Sequence, residues 1–178
     1  MLIKKIEKVT TDILQDLSIK ELPIPVEEIA IKRGLEIKAY DLGENVSGAL
    51  VIVDGKGTIG YNPSESKVRQ RFTVAHELGH YELHKHEKGL FVDKDFKVLF
   101  RDGNSSKGEI KNELEANAFA AALLMPEKFL LREVVKQNFD LSDETALKEL
   151  AKLFSVSVPA MTYRIANLNL FAKLRSQQ

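Results

Sequence analysis

The stretch His76-Glu77-Leu78-Gly79-His80 constrains the fold of this chain more than any other. An α-helix turns once per ~3.6 residues and rises ~1.5 Å per residue, so two imidazoles four residues apart stack on one face, roughly 6 Å apart, and can reach one metal ion. Val74-Ala75 before the stretch and Leu78 within it give the same helix an apolar side to bury. The segment therefore has to be a packed helix that turns its histidines into a cleft. Glu77 lies beside that stripe, where a carboxylate can touch a metal-bound water without becoming a ligand. The pattern is the HExxH of zinc-dependent hydrolases.

The composition limits what else the chain can be. Its 178 residues suffice for one domain with a sizeable core and a small appended subdomain. Lys+Arg and Asp+Glu both number 26, so no global charge draws the protein to nucleic acid or a membrane surface. There are no cysteines, which removes disulfides, thiolate ligands and cysteine nucleophiles together and leaves nitrogen and oxygen to hold any zinc. The amino terminus interrupts its apolar residues with charges at helical spacing, unlike a signal peptide, and the longest apolar run, Phe119 to Pro126, is too short to span a bilayer. The expectation is a cytoplasmic protein.

Ile3, Ile6, Val9, Ile13, Leu14 and Leu17 recur at helical spacing before Pro23 and Pro25, and a short helix over 26–33 follows, ending at Gly34. The period then changes to two: Leu35, Ile37 and Ala39 alternate with polar residues as in a strand. A hairpin is expected from 49–53 and 58–62, joined through Asp54-Gly55-Lys56-Gly57. Ser64 or Ser66 would cap the helix that carries the histidines. Residues 85–111 read as a long surface excursion around a strand at 96–100. Helical spacing returns over 109–125 and again over 142–154 and 158–168.

A catalytic zinc commonly takes three protein ligands, and four residues compete to join His76 and His80. His84 extends the same helix face but lies roughly 12 Å from His76 along a straight helix. His86 stands ten residues after His76, the offset of a third histidine in the metzincin pattern, but that pattern needs a glycine where this chain has Leu83. A carboxylate from the 109–125 helix is the remaining option. Glu115, beside Ala116 and one turn before Phe119, could be brought inward by packing through small residues, and Glu113 is its alternative.

Several segments together resemble the ImmA/IrrE family of small bacterial zinc metallopeptidases. They are Leu22-Pro-Ile-Pro-Val-Glu-Glu-Ile-Ala, Ser47-Gly48, the run from Arg69 to His84, and Glu113-Leu-Glu-Ala-Asn-Ala-Phe-Ala-Ala-Ala-Leu-Leu-Met-Pro, within a resemblance that covers roughly positions 22–170. The resemblance implies Glu115 as third zinc ligand, beside Glu77, which the HExxH pattern itself marks as the general base. It also implies a gluzincin-like α+β fold, with helices on a small antiparallel sheet whose edge strand, best placed at 58–62, pairs with an extended peptide. A metallopeptidase domain over 1–126 would be followed by a helix-turn-helix-like subdomain over 127–178.

Family members commonly cleave or antagonise transcriptional repressors encoded beside them on mobile elements or in stress-response loci, which implies a helix-turn-helix repressor as substrate. Tyr61 and Tyr81 are candidate oxyanion donors. The 150–170 segment could bind DNA, but Lys152, Arg164, Lys173 and Arg175 are few cations, and packing or partner docking is the favoured role. The rival to proteolysis is a zinc-containing regulator that binds a repressor or DNA without cutting.

Overall fold

The computed structural model describes residues 2–43, 46–84, 90–94 and 107–175. In chain order these form α1 (Leu2–Asp16), α2 (Val26–Lys32), β1 (Leu35–Ala39), β2 (Val46–Val53), β3 (Lys56–Tyr61), α3 (Lys67–His84), β4 (Leu90–Lys94), α4 (Lys107–Leu124), α5 (Glu127–Gln137), α6 (Glu144–Phe154), α7 (Val158–Asn167) and α8 (Leu170–Arg175). The chain is thus α+β, as its periodicity predicts. The expected strand at 96–100 and His86 both lie outside the described residues.

The sheet has the order β1-β3-β2-β4 and is mixed rather than antiparallel. The β2–β3 hairpin turns on Asp54 and Gly55 alone, at φ 50° and 78°, the two positive angles of a tight primed turn, so Lys56 and Gly57 belong to the strand. In the sheet β3 lies between its two predecessors, β1 and β2. It runs antiparallel to β2 and parallel to β1, with Ile37 opposite Ile59. This overturns the expectation that 58–62 is an edge strand, since both its sides are occupied. The outer strands among the described residues are β1 and β4. Leu90–Lys94, read from sequence as part of a surface excursion, is the strand that pairs with β2.

Helix α3 is the hub of the fold. Ser66 begins it, its hydroxyl accepting from Arg69 N–H at 3.3 Å, whereas Ser64 instead folds onto Asn62 Oδ1 in a turn. One side of α3 covers β2 and β3, and another packs along α4. Two small-residue contacts set these distances. A Cβ on Gly79 would lie 3.1 Å from Phe119 Cβ and 3.2 Å from Ala116 Cα, so glycine lets α4 close on α3. A Cβ on Gly48 would lie 2.2 Å from Thr73 Cγ2, so a second glycine seats β2 against the same helix.

The buried apolar residues form two clusters. One joins Ile13, Ile29, Leu50, Ile59, Leu78 and Phe119 between the sheet and α1–α4. The other begins at Met125 and joins Leu130, Leu150, Phe154, Met161 and Ile165. Leu22, Phe129 and Val156 pack against both. Arg164, 5% exposed, joins the second cluster to the first helix: Nε donates to the Met125 carbonyl at 2.9 Å, and Nη1 and Nη2 reach the Glu7 carboxylate at 2.5 and 3.0 Å. Ile3, expected on the buried face of α1, is 65% exposed because that face begins at Ile6.

Candidate metal centre

His76 and His80 occupy successive turns of α3, each 1% exposed, with ring centroids 4.7 Å apart and rings near perpendicular at 77°. Their Nε2 atoms approach to 3.0 Å. Across from them, α4 presents Glu113, whose Oε2 lies 3.2 Å from His76 Nε2 and whose Oε1 lies 3.2 Å from His80 Nε2. These three side chains are a group able to hold a metal ion. Ligands about 2.05 Å from a tetrahedral zinc stand about 3.3 Å from one another, so the donor atoms need only small adjustments to accept one.

The expectation that Glu115 completes the set is not what the geometry brings together. Residues two apart on a helix point roughly 200° apart, so Glu113 and Glu115 cannot both face the histidines. Glu115 instead turns to His84, Oε2 at 3.6 Å from Nε2, with Lys111 Nζ 3.4 Å from its other oxygen. His84, set aside from sequence as a flank residue, is 4% exposed in this second contact, its ring 5.7 Å from that of His80.

The electrostatics prepare the cluster for a cation. Burial pushes the Glu113 carboxyl up, but hydrogen bonds from His76 and His80 and their charge outweigh it and hold its pKa at about 2. Burial pushes His80 down, the Glu113 hydrogen bond opposes this, and the neighbouring His76 and His84 add to the fall, leaving it below the usual histidine value. An ionised carboxylate is the form in which Glu113 can serve a metal ion.

Sequence reading missed Asn117. Its Oδ1 lies 3.1 Å from His76 Nδ1, and an amide oxygen only accepts, so Nδ1 donates to it and Nε2 is the ring nitrogen turned towards Glu113 and His80. The signal was present as spacing: Glu113 and Asn117 are four apart and share a helix face.

Glu77 is fully buried on the sheet side of the histidine stripe, where a Cβ on Gly48 would come within 3.3 Å of Oε1. Tyr81 also lies towards the sheet, its ring against Gly57, and Tyr61 pairs with Gly48 in the β2–β3 ladder.

Comparison with known proteins converges on this region. The Peptidase_M78 model, described as the IrrE N-terminal-like domain, matches residues 30–166. Metallopeptidase ImmA of Bacillus subtilis (strain 168) is 32% identical over 109 residues, a match covering 61% of this chain and 56% of the relative. The chain thus spans little more than half of that curated relative. A Mycobacterium tuberculosis transcriptional regulator shares the fold with a TM-score of 0.58 at 17% identity, over 93% of this chain and 46% of the other. No helix among the described residues is long and apolar enough to cross a membrane.

Proposed function

Because the chain belongs to the IrrE N-terminal-like family of metallopeptidases, we propose that it is a zinc-dependent, gluzincin-like peptidase whose ligands are His76, His80 and Glu113 and whose general base is Glu77. The observation that carries this reading is the convergence of two imidazoles and one ionised carboxylate from α3 and α4. Glu113 replaces Glu115 in the proposal because it faces both histidines.

When bound, zinc acidifies a water and polarises the scissile carbonyl. The chain's own residues do the rest. Glu77, one residue past the first ligand, takes the proton from the attacking water and returns it to the departing amine nitrogen. Asn117 keeps the His76 proton on Nδ1, so that ring presents its lone pair without reorganisation. The buried setting of Glu77 and the two histidines excludes bulk water and strengthens each of these interactions.

The substrate in this reading is a regulatory protein, most specifically a helix-turn-helix repressor, and the site of action is the cytoplasm. Residues 1–126 supply the catalytic unit and 127–178 a helical subdomain. Support for a regulatory target comes from the resemblance to anti-repressor proteases. The test is to incubate the zinc-loaded protein and its Glu77→Gln variant with candidate helix-turn-helix repressors. Chelator-sensitive fragments from the wild type alone are expected. Equal cutting by the variant would remove Glu77 from the mechanism, and intact repressor with tight complex formation would favour a non-proteolytic regulator.

A further inference from the structure

Beyond the metal cluster, we infer that the α3–α4 groove ends in a specificity pocket that takes one apolar side chain of the substrate peptide, next to the scissile bond or one residue further. The inference rests on the peptidase reading and names what that site selects.

The groove follows from two helical stripes. On α3, Val68, Phe72, His76 and His80 succeed one another at four-residue spacing, and on α4 so do Glu113, Asn117 and Ala121, with Met125 continuing the spacing one residue past its end. The helices run in opposite directions, for His80 meets Glu113 and His76 meets Asn117. Continuing that register sets Phe72 near Ala121 and Val68 near Met125. Glu113, Asn117, Ala121, Phe72 and Val68 are all only half-buried, so among the described residues this side of the helix pair is open, whereas the opposite side is sealed by Gly79, Ala116 and Phe119.

At the far end of the groove lies a cavity of about 330 Å³, walled by Val68, Phe72, Met125, Val156 and Ala160. Phe72 belongs to both cavity and metal centre, its ring centroid 6.2 Å from that of His76. One helical turn is about 5.4 Å, and an extended peptide advances about 3.3 Å per residue. A peptide lying along the groove with its scissile bond at the histidines therefore brings a side chain to Phe72, the near wall of the cavity, within one or two residues.

The walls decide the chemistry. They are mostly aliphatic and aromatic; the Ser66 and Ser157 hydroxyls that join them accept from the Arg69 and Ala160 N–H groups, and Arg69 itself donates from Nε and Nη2 to Ser47 Oγ at 3.2 and 2.9 Å while its guanidinium lies 5.7 Å from the Phe72 ring centroid. A leucine- or phenylalanine-sized group finds apolar contact there. Val156 and Ala160 come from the α6–α7 turn and the start of α7, so the C-terminal helices close the pocket and contribute to substrate choice.

The test uses peptide hydroxamates of Gly-Gly, Gly-Leu and Leu-Gly sequence titrated calorimetrically into the zinc-loaded full chain. One leucine compound should bind about ten-fold or more tighter than Gly-Gly, the gain of burying one such side chain. Ala160→Phe and, separately, Val68→Phe fill the cavity and should bring that ratio towards one, with zinc content reporting that each variant is folded. Equal affinities for all three compounds in the wild type, or a leucine preference that survives both fillings, would overturn the pocket while leaving the metal centre intact. Failure of Gly-Gly hydroxamate to bind the zinc-loaded protein would instead strike the peptidase reading, and the pocket with it.

Discussion

Glu113 and Asn117 grip opposite nitrogens of a single ring: Oε2 of the first lies 3.2 Å from His76 Nε2, and Oδ1 of the second 3.1 Å from Nδ1. One face of one helix thus supplies both a candidate ligand and the group that orients its partner ligand.

Exchanging the two glutamates tests the assignment. Glu113→Ala should weaken zinc binding by more than the ~10–100-fold typical of outer-sphere changes, whereas Glu115→Ala should leave the three donors in place and stay within that range. Chelator competition on the purified variants measures both. The opposite order would return Glu115 to the ligand set.

Asn117→Leu removes the acceptor from His76 Nδ1 and should reduce zinc affinity about 10–100-fold. Asn117→Asp keeps an acceptor at the same place and should retain most of it. Unchanged affinity in the leucine variant would show that the 3.1 Å contact does not steer the ring.

Helical periodicity made much of this site readable. The four-residue interval fixes His76 and His80 on one face, and the positive angles at Asp54 and Gly55 follow from turn chemistry that any hairpin obeys. What periodicity could not supply was the rotation of α4 about its own axis. That rotation is set by the contact of Gly79 with Ala116 and Phe119, and it decides between Glu113 and Glu115. The place of β3 was hidden for a similar reason, because a strand's second neighbour depends on how the whole sheet is ordered rather than on its own residues. β4 lacked both a strong alternation and a recognisable turn, so its pairing with β2 appears only in three dimensions.

The seat of β2 on α3 predicts a sharp response to one methyl group. Gly48→Ala forces its Cβ against Thr73 Cγ2 and within 3.1 Å of the Gly60 carbonyl, and should cost about 1–3 kcal/mol of stability. Thr73→Ser deletes the opposing methyl, so the double variant should lose less than the sum of the single losses. Urea denaturation midpoints of the four proteins decide it.

Arg164→Met should destabilise by about 1.5–3 kcal/mol, the range for hydrogen bonds to charged groups, because it leaves both the Met125 carbonyl and the Glu7 carboxylate without their donor. Lys8, whose ammonium pairs with Asp12 at the surface with both side chains at least half exposed, provides the contrast: Lys8→Ala should change stability by less than about 1 kcal/mol. Chemical denaturation compares the two directly.

The Glu7–Arg164 pair also carries a message about birth order. Its partners are separated by 157 positions, while every candidate zinc ligand has been made once Glu113 is added. At a synthesis rate of ~5–20 residues per second, roughly 3–10 s pass between the two events. A nascent chain in that interval possesses all three proposed metal-binding side chains before the arginine that ties down its first helix exists, so the order of synthesis sets the donors of the metal centre ahead of the lock on the amino-terminal helix.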